Sequence, residues 1–298
     1  MKSWISVVGL CVALLAAVVG EAAPARGWLG LRGGNDDGTL PAGSRVEKGL
    51  RYGADPVQLL DVYLPDHATR APILFLVHGG GWRRGGRDNQ GLAQPKAAHW
   101  LPKGYLLVSV DYRLLPEADP LRQAEDVARA LAWVQQHASQ WGGDPQRVVM
   151  MGHSAGAHLV ALLGSDVARL KAAGATRPLG VVALDSAAMD VPQIMQVPRH
   201  FALYDDAFGT DPDYWRLASP VHHLSRDSLP MLAVCSSRRA ESCQQARALS
   251  RRAAEFGVPV EVLPADLSHM QINRELGEAS AYTREVDRYI DSLLVARR

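Results

Sequence analysis

Two short motifs hold the residue types that acyl transfer requires. Gly152-His153-Ser154-Ala155-Gly156 sets a serine between glycines, after the strand formers Arg147–Met151 and ahead of the helix formers Ala157–Leu163. A nucleophile elbow demands that strand–turn–helix setting, with the hydroxyl standing exposed at the strand's end. The two glycines permit a tight turn that a Cβ would obstruct. His78-Gly79-Gly80-Gly81-Trp82 follows a second buried-strand run, Ile73–Val77. A tetrahedral oxyanion needs preorganised donors, and a glycine loop supplies bare backbone N–H groups. The expected oxyanion donors are therefore Gly80, Gly81 and Ala155, the residue after the nucleophile.

A serine hydroxyl is a weak nucleophile and needs an adjacent base. Five histidines follow it: His158, His200, His222, His223 and His269. His158 falls inside the elbow helix, His200 in a long inter-strand segment, and His222-His223 ahead of a strand, so these read as packing or surface residues. His269 follows the last strand in Leu267-Ser268-His269-Met270, where the chain order serine, acid, histidine puts the base. His153 flanks the serine and reads as structural. The acid is expected just past the strand Met231–Val234, in Cys235-Ser236-Ser237-Arg238-Arg239-Ala240-Glu241-Ser242-Cys243. Glu241 is the only carboxylate there and is the expected acid. Asp266 is the reserve, and Asp185 and Asp190 fall one strand too early.

These residues need a scaffold. The chain has 298 residues and a net charge of +1, without a basic stripe, which excludes a nucleic-acid binder. Lys2, the apolar run Trp4–Val19 and the small residues Gly20, Ala22, Ala23 and Ala25 have the layout of a signal peptide over 1–23. The expectation is an exported protein, periplasmic or secreted. The apolar run is shorter than the ~20 residues of a spanning helix, so an uncleaved anchor is the alternative and the one link to a membrane. Leu10 before Cys11 argues against a lipoprotein. The remaining pair, Cys235 and Cys243, is expected to form a disulfide around Glu241, with two buried thiols as the alternative.

A flexible leader is expected over 24–44 and one domain over 45–298. Leu59–Pro65, Ile73–Val77, Leu106–Val110, Leu179–Leu184, Met231–Val234 and Val260–Leu263 read as further strands, alternating with helices from Asp119, from Cys243 and around Val286, Ile290 and Leu293. Continuous apolar strands between helices predict a mostly parallel sheet with helices on both faces. The segment 190–223 is too long for a plain connection and reads as a cap over the site or as a surface helix with its own small core.

Taken together, the motifs resemble the α/β-hydrolase carboxylesterases and lipases with an HGGGW oxyanion loop, a group that includes hormone-sensitive-lipase-like and kynurenine-formamidase-like enzymes. The resemblance is carried by Leu60-Asp61-Val62-Tyr63, His78–Trp82, Asp111-Tyr112-Arg113-Leu114, Gly142-Gly143-Asp144, Gly152–Gly156 and Leu267-Ser268-His269, in family order. It implies a serine hydrolase acting on a small carboxylic ester, with no metal or organic cofactor. It implies that Asp111 and Arg113 form a scaffold pair behind the oxyanion loop, and that Trp82 lines the acyl pocket or packs the loop. The family's acid has no positional match here. An arylformamidase of the same fold is one alternative. A hydrolase-fold binding protein without catalysis is another.

Overall fold

The computed structural model describes residues 40–89 and 91–296. The segments read as signal peptide and most of the leader, with Cys11, lie outside the described residues. Eight strands form one sheet: β1 (Arg45–Arg51), β2 (Leu59–Leu64), β3 (Ala71–Val77), β4 (Leu106–Val110), β5 (Gly143–His153), β6 (Gly180–Leu184), β7 (Met231–Ser236) and β8 (Val260–Ala265). Their order is β1-β2-β4-β3-β5-β6-β7-β8. β1 and β2 run antiparallel to their neighbours, and β4, β3, β5, β6, β7 and β8 are parallel. This is the mostly parallel sheet that the sequence predicts. β1 went unforeseen because four of its seven residues, RVEKGLR, are charged and most of it faces solvent.

The period-two alternation of the strands sorts their side chains into two cores. Ile73, Phe75, Val77, Val148, Met150, Val181 and Ala183 face the helices Pro120–His137, Ala155–Ser165 and Ala240–Ala254. Leu74, Leu76, Val149, Met151, Val182 and Leu184 face the helices Gln94–Trp100 and Ala281–Val295. The helix from Asp119 starts as its sequence dictates: the Asp119 carboxylate caps Arg122 N–H at 3.0 Å, and Pro120 fills the first helical position. Helices cover both faces, so a ligand can reach the sheet only at the carboxyl ends of its strands, the rule for open α/β sheets. Ser154, Asp185 and the loop after β8 lie at those ends.

Candidate active site

Ser154 occupies the turn between β5 and the helix Ala155–Ser165, at φ 58° and ψ −117°. An L-residue is held in that conformation only when its surroundings over-determine it. Here the two glycines do so sterically. A Cβ on Gly152 would lie 2.3 Å from Gly156 O, and a Cβ on Gly156 would lie 2.2 Å from Val77 O. The elbow helix can therefore sit directly on the end of β3. Ser154 N–H donates to Leu184 O at 2.9 Å, which ties the elbow to β6.

His269 opens the short helix His269–Arg274, whose start is fixed by a reciprocal capping box between Ser268 and Gln271. The structure brings His269 and Ser154 together: the hydroxyl donates to Nε2 across 3.0 Å. With Nε2 accepting, the ring proton sits on Nδ1, which donates to Asp185 Oδ2 at 2.6 Å. Serine, imidazole and carboxylate thus form one relay drawn from the ends of β5, β8 and β6.

The acid facing His269 is Asp185, which corrects the expectation of Glu241. Glu241 lies in the first turn of the helix Ala240–Ala254, and its exposed carboxylate meets Arg239 at 3.3 Å. Residues two apart on a helix point to opposite sides. Cys243 is drawn inward by its disulfide with Cys235, at a Cα–Cα distance of 5.0 Å, so Glu241 turns outward. Asp266, the reserve, is exposed and pairs with Arg238 at 2.8 Å, which holds its carboxyl below the usual range. Asp190 caps the helix Val191–Met195. Asp185, by contrast, is fully buried. Burial alone pushes its pKa up. Hydrogen bonds from His269, the Ser242 hydroxyl and Ser236 N–H, with the charge of Arg239, more than reverse this and hold it well below the ordinary carboxylate value.

His153 supports the relay from β5. Its Nε2–H donates to His269 O at 2.9 Å, and the two ring centroids lie 4.5 Å apart with the planes tilted by 36°. Burial, with the neighbouring His269, pulls its pKa down to about 3, so it stays a neutral donor. The oxyanion loop approaches from β3. A Cβ on Gly79 would lie 2.8 Å from Ser154 Cβ, and Gly80 and Gly81 take φ values of 127° and 62°. His78 stacks on Tyr112 at 4.3 Å, and the Tyr112 hydroxyl donates to His78 O at 2.8 Å, anchoring the loop's root. Ala155 opens the elbow helix beside this loop.

Trp82 packs the loop and leaves no face for a substrate, which corrects its assignment to substrate binding. Only 3% of it is exposed; Phe208, His158 and Tyr204 surround the ring at 4.9, 5.4 and 6.0 Å. Its Nε1–H donates to His158 Nδ1, and His158 Nε2–H donates to Ala218 O at 2.7 Å. His158 is thereby a strut between loop, elbow helix and the segment 190–223. Three short helices, Val191–Met195, Ala202–Phe208 and Pro212–Leu217, make up most of that segment. His200 pairs there with Asp205, and His222 and His223 lie near Asp190 and Asp166.

Asp111 and Arg113 do not pair with each other. Asp126 is fully buried and takes the Arg113 guanidinium as a two-pronged donor at 2.7 and 2.8 Å. Asp111 meets Arg87 instead, which also bonds Asp61 at 2.8 Å. Arg87 N–H also donates to Asp111 at 2.6 Å, which ties the stretch after the oxyanion loop to the end of β4.

Comparison with known proteins agrees with this geometry. The BD-FAE family profile matches residues 60–250. Esterase LipC of Mycobacterium tuberculosis is 32% identical over 201 residues, which cover 63% of this chain and 49% of LipC. The chain thus spans about half the length of that curated relative. Among solved structures, Esterase B of Lactobacillus rhamnosis superposes with a TM-score of 0.68 at 22% identity, covering 87% of this chain and 89% of that one. A truncated carbohydrate esterase from gut microbiota gives 0.71 at 17% identity, with 86% and 98% covered. At these identities the two structures establish the shared α/β-hydrolase fold.

Proposed function

The chain belongs to the BD-FAE family, and on that premise we propose that it is a serine hydrolase of carboxylic esters. The observation that carries this reading is the relay Ser154–His269–Asp185, with contacts of 3.0 and 2.6 Å. Ser154 attacks the ester carbonyl while His269 takes its proton. Asp185 holds the imidazole in the tautomer that leaves Nε2 free to accept, and it stabilises the imidazolium that forms. N–H groups of Gly80, Gly81 and Ala155 receive the oxyanion. His269 then protonates the leaving alcohol, and water enters by the same route to release the acid and free Ser154.

The alternative of a binding protein without catalysis leaned on a missing acid. Asp185 at 2.6 Å from His269 removes that reason. We further propose an exported enzyme; the N-terminal apolar run and the disulfide, which persists in oxidising compartments, support this. The test is hydrolysis of aryl esters of graded acyl length by purified protein. Wild type turns over and Ser154→Ala loses at least about a thousandfold in kcat with an unchanged melting temperature. Equal turnover by the two proteins would overturn the assignment.

A further inference from the structure

A carboxylate in a low-dielectric interior needs donors on its lone pairs, and the direction of those donors fixes its orientation. Besides His269, three groups donate to Asp185: Ser236 N–H at 2.7 Å, Arg239 Nη1 at 2.8 Å and the Ser242 hydroxyl. All three belong to the stretch Cys235–Cys243, whose ends the disulfide joins. The bridge clamps the end of β7 to the first turn of the helix Ala240–Ala254. The stretch therefore cannot open without carrying the three donors away from the acid.

Asp185 has its own reason to need this hold. Its backbone sits at φ 55°, a left-handed conformation that an L-residue leaves when its surroundings loosen. Its N–H is tied to β7 through Val234 O at 2.8 Å, so strand and loop grip main chain and side chain together.

We propose that the disulfide-closed loop Cys235–Cys243 is the positioning element of the triad acid, holding Asp185 in the one orientation that receives His269 Nδ1–H. The proposal rests on the hydrolase reading above. The bridge acts on turnover through the acid's orientation, in addition to any effect on global stability. Arg239 places a fixed positive charge against Asp185 Oδ2, with its Nη1 2.8 Å from His269 Nδ1, and Ser236 and Ser242 complete the set of donors.

The test compares wild type, the double variant Cys235→Ala/Cys243→Ala, and Ser242→Ala, which keeps the bridge. For each, kcat and KM on an aryl acetate are measured beside the fraction of protein that a fluorophosphonate labels at saturation. The expected result is a kcat lower by about tenfold in both variants, of the order of one lost hydrogen bond to a charged group, with KM within about twofold and labelling complete. Wild-type kcat in the bridge variant, or a kcat loss matched in full by a smaller labelled fraction, would overturn the proposal. If the bridge variant does not fold, Ser242→Ala decides: an unchanged kcat there would overturn it. A wild-type protein that neither turns over esters nor is labelled would instead refute the hydrolase reading, a result distinguishable from these.

Discussion

Asp185 Oδ2 lies 2.6 Å from His269 Nδ1 although 84 residues separate them in the chain. The contact follows from the sheet order. β6, β7 and β8 are parallel neighbours, so their carboxyl ends stand side by side about 5 Å apart per strand. A histidine after β8 can thus be met by an acid from β7 or, with a longer reach, from β6. Here β7 ends in donors instead of an acceptor, and β6 supplies the carboxylate.

That exchange of roles predicts opposite outcomes for two conservative substitutions. Asp185→Asn keeps the shape but removes the charge and favours the wrong imidazole tautomer; kcat falls by roughly a thousandfold to ten-thousandfold. Glu241→Gln, at an exposed carboxylate paired with Arg239, stays within about twofold of wild type. Steady-state kinetics on one aryl ester measures both.

Stability is predicted to fall as the solution is acidified. Burial lowers the pKa of His153 to about 3 and of His158 to about 4, from an ordinary 6.5. Between those values and 6.5 the unfolded chain binds protons that the native chain does not. Their contribution is therefore full above 6.5 and is lost as pH drops toward 4 and then 3. Urea unfolding at a series of pH values should show this slope, and His153→Gln, which keeps a donor for His269 O, should flatten it.

The elbow glycine is predicted to be intolerant for a steric reason. In Gly156→Ala the new methyl would stand 2.2 Å from Val77 O and 2.4 Å from His78 O, both backbone atoms at the root of the oxyanion loop. The expected cost is about 2–4 kcal/mol, read as a lower urea midpoint at constant slope.

The elbow and the glycine loop were legible in the sequence because each is a local steric demand between a strand and a turn. His269 was legible from chain order. The acid was not. Asp185 closes the buried run Val181–Leu184 in plain view, yet strand counting assigns the role to the loop after β7. The expected helix start at Cys243 left Glu241 in a disulfide-closed loop that could point it at His269. The helix begins at Ala240, and that difference of three residues fixes Glu241 on the outer face. Trp82 misled for a related cause: whether an aromatic beside a site lines it or packs against a distant segment depends on where Tyr204 and Phe208 fold back, which its neighbours in sequence do not reveal.

The most direct test of the central claim, that His269 activates Ser154, is the rate and position of fluorophosphonate labelling. Peptide mapping of the wild-type protein should place the adduct on Ser154, and His269→Ala should react at least about a hundredfold more slowly. An adduct elsewhere, or equal labelling rates in the two proteins, would contradict the account.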